Sequence, residues 1–491
     1  MVNVMRQAVG LEEFVTVFNC KGFKKDMPYL LRLLEPFINK KVFFVVADGA
    51  CAGLLKLVMF RYPWITGLKC GAHSIDLIIK NIVDMPWGKA TVAAVKKCIK
   101  FIKHHQKTLA VFTDKSNGRG LLLPNDTRFG TSFIMIERFF SLKQPLVHTV
   151  VDERFTEYLS STSTKKSTRE TGKEVKQFIL DDIDEEGGAW FEVRFFLRVV
   201  EPLFKLVRLA DGTKPQAAQL YYRLSIVFKD LEEALRTQPE LAAVRDRLEP
   251  ILQVLEYRRT YMHSEVYGAA FALHPEYHSK DAGEMDNGRP IMDLLAMAER
   301  LLIDHGNDPQ GAILAARDLD EGGPVGKCMA QFARFKAGDF AGKVFLEQAR
   351  SLTGAAWWGT LGKMGLPELA YVAVRVLSMV PAAAGCERNW SLMGAVTAGK
   401  HARMSSETMS KLVYVRANLQ LMYRQYVQGK EACEQSGLVW EDDDDMDDDD
   451  DDVDNDEDMH DCIAGGSDFG IESYSVGGGS GAGGGAGSGS G

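Results

Sequence analysis

Two hydrophobic rhythms divide this chain. Up to about residue 125, short apolar runs alternate with amphipathic stretches. Met1–Arg6 and Phe14–Cys20 have strand length and are separated by a turn near Gly10. Lys41–Ala47 (KVFFVVA) is continuously apolar, as expected of a strand buried on both faces, and Ile65–Cys70 is a shorter strand. Between them lie helical patterns. Lys25–Asn39 sets Leu30, Leu31 and Leu34 on one side, Gly49–Tyr62 ends at Pro63, and Ala72–Val83 and Lys89–His105 follow. The alternation predicts an α/β arrangement of a sheet flanked by helices. From about 150 to 350 the strand signals vanish. Helical patterns cover Ala189–Leu209, Ala217–Arg236, Leu241–Tyr261 and Met292–Ile303, broken by Gly-, Asp- and Pro-rich loops at 281–290 and 305–325. Residues 159–173 are polar throughout and predict a loop. Beyond 355 the helical period returns. Leu369, Val372, Ala373 and Val376 share one face, and Leu412, Val415, Leu419 and Met422 share another.

Charge changes the picture at the C-terminal end. Sixteen acidic residues fall between Glu441 and Asp461, and a Gly/Ser/Ala-rich stretch follows. Such a tail buries too little apolar surface to offset its chain entropy, so 426–491 is expected to be disordered. The formal charge of the whole chain is -9, yet residues 1–440 carry 58 basic and 49 acidic side chains, a net of +9. The body is mildly basic and the tail strongly acidic. The eight cysteines are scattered, which points to reduced thiols rather than a disulfide scaffold. No apolar run approaches the ~18 to 20 residues that span a bilayer, so no membrane partner is expected. The N-terminal residues carry no signal-peptide pattern.

A few residues carry candidate chemistry. Asp48 ends the KVFFVVA run and precedes Gly49. A carboxylate held at the end of a central strand suits a metal site, and it equally suits an N-cap for the following helix. Cys70 and His73 supply two metal ligands where zinc needs about four. His104 and His105 are the nearest further candidates, and the structural alternative is a buried thiol beside a hydrogen-bonded histidine.

Four segments in order add a resemblance. They are Trp357-Trp358, Leu366-Pro367-Glu368-Leu369-Ala370, Cys386-Glu387-Arg388-Asn389-Trp390-Ser391, and Lys411-Leu412-Val413-Tyr414-Val415 with Asn418-Leu419. They resemble the C-terminal dimerisation region of hAT-superfamily transposases, which reads W-W, P-x-L-A, S-x-x-S-E-R-x-W/F-S and L-V-Y-x-x-x-N-L. Upstream, Val45–Ala50 is similar to the family's V-V-T-D-N-A. Cys70-Gly71-Ala72-His73 with Leu77 resembles C-x-x-H-x-x-N-L, Asp76 standing where Asn is usual. Leu121–Pro124 with Asp126–Phe129, and Lys205–Gly212 with Pro215 and Tyr221, match further elements, so the likeness covers nearly all of 1–425.

The resemblance implies a ribonuclease-H-like mixed sheet with flanking helices, interrupted by a helical insertion. Its segments are 1–145 for the N-terminal part of the core, 146–350 for the insertion and 351–425 for the dimerisation region that completes the core. Such cores hold two Mg²⁺ ions on three carboxylates. Asp48 matches the second acid and Glu387 the third. The first acid, carried in the family by a D-G-W-like segment on a strand between those of Met1–Arg6 and Val42–Ala47, has no counterpart here. The chain is therefore expected to lack that strand, to leave either a direct pairing or a gap in the sheet, and to be catalytically incomplete. Arg128, Arg388, Lys400, His401 and Arg403 are implied phosphate contacts, and Phe129 falls where relatives stack a tryptophan beside a flipped base; a scatter of surface charges around one core aromatic explains the same residues. Trp357, Trp358, Trp390, Leu412, Val415 and Leu419 are the implied self-association surface. The implied setting is the nucleus.

Three functions follow as expectations. The first is a transposase-derived, self-associating protein with DNA as a second partner. The second is an active transposase encoded by a longer reading frame. The third is a scaffold whose acidic tail binds basic proteins such as histones.

Overall fold

The computed structural model describes residues 2–8, 11–18, 20–124, 130–181, 188–212, 214–237, 244–280, 285–302, 323–350, 352–362, 364–383, 385–386, 388–389, 392–393, 405–436 and 472–478. The chain divides into two compact units. One comprises residues 1–68, 213–215 and 272–491, the other 69–212 and 216–271.

The first unit begins with strands β1 (Val2–Ala8) and β2 (Leu11–Phe18), an antiparallel hairpin running from Val2 opposite Phe18 to Ala8 opposite Leu11. Helix α1 (Met27–Leu34) starts where Asp26 accepts the Tyr29 N–H at 3.0 Å and Pro28 presets the first turn. Strand β3 (Val42–Ala47) follows, then α2 (Ala52–Arg61) and β4 (Thr66–Lys69). Val42, Phe44, Val45, Val46 and Ala47 of β3 are all fully enclosed. Val2, Val4, Leu30, Leu34, Val42, Val45, Leu54, Leu55, Val58 and Ile65 form one apolar cluster, which is why an unbroken apolar run was needed at β3.

The second unit is helical: α3 (Gly71–Val83), α4 (Pro86–His104), α5 (Gln106–Ser116), α6 (Thr131–Ser141), α7 (Lys143–Val151), α8 (Glu153–Ser160), α9 (Lys166–Leu180), α10 (Ala189–Ala210), α11 (Ala217–Thr237), α12 (Arg245–Met262) and most of α13 (Glu265–Leu273). Trp190, Val193, Phe196, Val200, Leu203, Leu206 and Val207 of α10 are all within 2% of full burial, so α10 is the central rod of this unit. The residues of 166–173 that composition assigned to a loop belong to α9. Val175 and Ile179 are buried, and Gly172 allows a tight approach: a Cβ there would lie 2.8 Å from the Phe101 ring and 2.3 Å from a Leu159 methyl.

The chain then returns to the first unit with α14 (Arg289–Leu302), α15 (Pro324–Ala337), α16 (Gly354–Trp357) running into a wider turn over Trp358–Gly362, α17 (Pro367–Leu377), α18 (Ser406–Ser436) and strand β5 (Glu472–Gly478). The strands form two short pairs, β2 with β1 and β3 with β4, bridged by β5 in the order β2-β1-β5-β3-β4. β5 runs antiparallel to β1 and parallel to β3.

These observations correct the expected fold class. The chain is mainly helical, and its few short strands are a small part of it, not the α/β ribonuclease-H-like core that was expected. The local strand signals were real, but those four short strands are a small part of a chain whose described residues between 71 and 436 are mainly helical. The slot between β1 and β3 is neither closed nor empty, because β5 from the C-terminal tail lies in it. The tail expected to be disordered thus supplies a strand at 472–478 and the end of helix α18 at 426–436. The unit boundaries also fall elsewhere than at 145 and 350: residues 69–145 group with the helical unit, and 272–350 with the strand-bearing one.

Candidate functional site

The most distinctive surface of the first unit is built on α18, and the edge of β2 determines which way that helix faces. Asn418 accepts the Phe14 N–H at 2.9 Å and donates to the Phe14 carbonyl at 3.0 Å. One amide side chain thereby satisfies both backbone groups of an edge-strand residue, as a neighbouring strand would. Phe14 is fully buried and its ring lies 6.1 Å from that of Tyr414. Around this clamp, Met409, Val413 and Ala417 of α18 join Met5, Phe14, Val17, Cys386 and Met393 in one apolar cluster, with Leu392 and Leu421 at its margin. Three inward residues at spacing i, i+4, i+8 define the face of α18 that packs on the hairpin.

The opposite face is apolar as well. Leu412, Val415, Leu419, Met422 and Tyr426 are 45%, 52%, 59%, 64% and 43% exposed, and Tyr423 beside them is 69% exposed. Their spacing alternates three and four residues over two heptads, the repeat by which one helix seats on another. Leu412, Val415 and Leu419 are therefore presented outward.

The two tryptophans of the same expectation are not. Trp357 and Trp358 are completely enclosed. The Trp357 indole N–H donates to the Phe345 carbonyl at 3.0 Å, and that of Trp358 to the Leu273 carbonyl at 2.8 Å. Phe335 packs against both rings, at 6.3 and 4.9 Å. They are core residues of their own unit, because an indole buried with its N–H satisfied has no reason to leave for a partner. Trp390 lies outside the described residues.

Asp48 follows β3 as expected and precedes a single tight turn, Gly49–Cys51. Its carbonyl accepts the Cys51 N–H at 2.8 Å, while its side chain makes no capping bond to that turn. Its charge acts with burial to push the Cys51 thiol above its ordinary range, burial being the larger cause. Glu387 lies outside the described residues. The residues flanking it meet the hairpin: the Asn3 amide donates to the Cys386 carbonyl at 2.9 Å, and Asn389 lies against the Met5 sulfur at 2.7 Å. Among the described residues no three His, Cys, Asp or Glu side chains gather where they would hold a metal ion.

Of the implied phosphate contacts, Arg128, Phe129, Lys400, His401 and Arg403 lie outside the described residues. Arg388 is half-buried beside the Cys386 and Asn389 contacts. Cys70 and His73 open α3 in the second unit. Cys70 is 1% exposed and its carbonyl accepts both the Ser74 N–H and hydroxyl, at 3.0 and 2.8 Å. Cys70 is thus a buried thiol, and His73 is half-buried. Asp76, where the resembling family has Asn, is buried and accepts the Gly130 N–H at 2.9 Å, while Lys80 reaches its other oxygen at 2.7 Å. Gly130 has φ +62°, and a Cβ there would sit 2.5 Å from the Phe204 ring. Asp76 thus fixes a turn that only glycine fits.

Sequence reading missed one feature. Lys96, Lys97, Lys100, His104 and His105 gather with Ser167, Thr168 and Thr171 around a cavity of about 620 Å³. The signal was present, since the Lys89–Lys107 stretch contains six lysines and no acid. The facing wall was not legible while 159–173 counted as loop.

No family model matches this chain, and no curated protein matches it.

Proposed function

We propose that this protein is a hAT-transposase-derived, self-associating protein, and that a second copy docks on the outward face of α18. The observation that carries this reading is the exposed stripe of Leu412, Val415, Leu419, Met422 and Tyr426 on a helix whose other face is already committed to the β1–β2 hairpin. Soluble surfaces rarely leave contiguous apolar stripes uncovered. A heptad seam is also self-complementary, so two copies related by a two-fold axis cover each other's stripe with the same residues. The motif order from Trp357 to Leu419 supports the family assignment, with the tryptophans serving as core residues rather than as the contact.

The test is sedimentation velocity on the full chain at micromolar concentration, beside a Leu412→Lys/Leu419→Lys variant. Wild type is expected to sediment as a dimer or larger species and the variant as a monomer with unchanged circular dichroism. A wild-type monomer at both low and physiological salt would falsify the reading.

A further inference from the structure

The cavity between α4 and α9 lies within the second unit. It does not depend on self-association. Five nitrogen-bearing side chains enter it from α4 and the residue after it: Lys96, Lys97, Lys100, His104 and His105. Three hydroxyls, from Ser167, Thr168 and Thr171, enter from α9. Lys97 pairs with Glu174, a residue outside the lining that is itself 60% exposed. No carboxylate lines the cavity, and no ion pair involves Lys96, Lys100 or His104 among the described residues.

The walls are built rather than incidental. Gly172 brings α9 against Phe101 of α4 and Leu159 of α8, which sets the separation of the two helices. The His105 ring is oriented by its Nδ1 at 2.7 Å from the Phe101 carbonyl and by ring contacts to Phe101 and Tyr158. Phe101 is held in turn by Phe155. Phe101 is the one phenyl ring of the lining, with the polar side chains around it.

Three lysines with no carboxylate in the lining make this a positive surface that attracts anions. The donor set identifies the anion. Arginine is the usual partner of a planar carboxylate, because its fork matches two oxygens in a plane. No arginine lines this cavity; the donors are ammonium, imidazole and hydroxyl groups, which approach a tetrahedral oxyanion from several directions. A volume of about 620 Å³ is that of a small-molecule site. Phe101 offers no face for stacking a base, being 4% exposed. We propose that the α4–α9 cavity binds a compact ligand carrying two or more phosphate groups, held by Lys96, Lys100 and His104 from α4 and by Ser167, Thr168 and Thr171 from α9.

Nucleic-acid backbone shares this chemistry, so the experiment has two arms. Full-length protein is titrated by calorimetry with sodium tripolyphosphate, and by fluorescence anisotropy with a labelled 20-nucleotide single strand, at low salt. Wild type is compared with Lys96→Glu/Lys100→Glu, with the milder Lys96→Gln/Lys100→Gln, and with Lys173→Glu on α9 outside the cavity. Tripolyphosphate is expected to bind one to one. The charge reversal should weaken it at least tenfold, the glutamine pair less, and Lys173→Glu under twofold. Saturable oligonucleotide binding that tripolyphosphate displaces, with the same variant order, assigns the site to backbone phosphates instead and still supports a phosphate cavity. Absence of binding in both arms, or affinities that neither double variant changes while circular dichroism stays native, overturns the proposal.

Discussion

Asn418 shows how much a single side chain decides in this protein. Its amide pairs with both backbone groups of Phe14. Replacing it with alanine leaves an edge-strand N–H and C=O without those partners and removes the pin that orients α18. Asn418→Ala is expected to cost about 1–3 kcal/mol in urea unfolding, with a matching loss of dimer. Asp76 does similar work in the second unit, and Asp76→Ala should cost about as much by stranding the Gly130 N–H and Lys80. Histidine 274 makes a pH prediction. It is 6% exposed, and burial holds its pKa down at about 4, so it folds neutral. His278 is shifted in the same direction, again mainly by burial. The unfolded chain takes up protons near pH 6.5 that the folded chain refuses. Stability is therefore full above that pH and falls as pH drops toward 4, by on the order of 3 kcal/mol for His274. Urea melts from pH 7 to 4 check this, and His274→Phe should flatten the slope; an unchanged slope in the variant means another group is responsible.

At the scale of elements, α18 and α9 each carry two faces with different tasks. On α18 the inward face is set by Met409, Val413 and Ala417, and the outward face by Leu412, Val415 and Leu419. Val415→Glu should therefore leave the unfolding midpoint almost unchanged while weakening association. Val413→Glu should lower stability by several kcal/mol, because it drives a charge into the cluster around Phe14. If both variants behave alike in thermal melts, the two-faced description of the helix is wrong. On α9, Gly172→Val is expected to force the helix away from Phe101 and Leu159. Loss of tripolyphosphate binding with retained self-association would separate the two sites.

At the scale of the whole molecule, the acidic stretch and the strand beyond it act in different ways. The sixteen acids of 441–461 concentrate negative charge that two associating copies bring together. Raising salt from about 20 to 150 mM shortens the Debye length from roughly 20 Å to 8 Å. Self-association should tighten over that range, and deletion of 441–461 should remove most of the dependence, as read from sedimentation isotherms. The segment 472–478 is a structural element instead. It supplies partners to β1 on one side and β3 on the other. A chain ending at 471 leaves both rows of backbone groups unpaired and should melt at lower temperature. An unchanged melting temperature would remove β5 from the sheet.

The residues themselves determined the strands at 2–8, 11–18, 42–47 and 66–69, because alternation and unbroken apolar runs are local properties. They also determined the apolar repeat of 412–422. Four things waited for the tertiary structure. The ribonuclease-H-like class rested on likeness spread over 1–425, and helices dominate the folded chain instead. The tryptophans at 357 and 358 are as suitable for an interface as for a core, and only the positions of Phe335, the Phe345 carbonyl and the Leu273 carbonyl settled that they point inward. Helix α9 lies in a stretch whose polarity reads as loop, and it stands because Val175 and Ile179 are buried and Gly172 meets Phe101 and Leu159 across a gap that no local pattern encodes. α18 is apolar on more than one side, so periodicity alone cannot choose its buried face. That choice belongs to the free edge of β2 and the amide of Asn418, two groups 404 residues apart that meet only when the chain has folded.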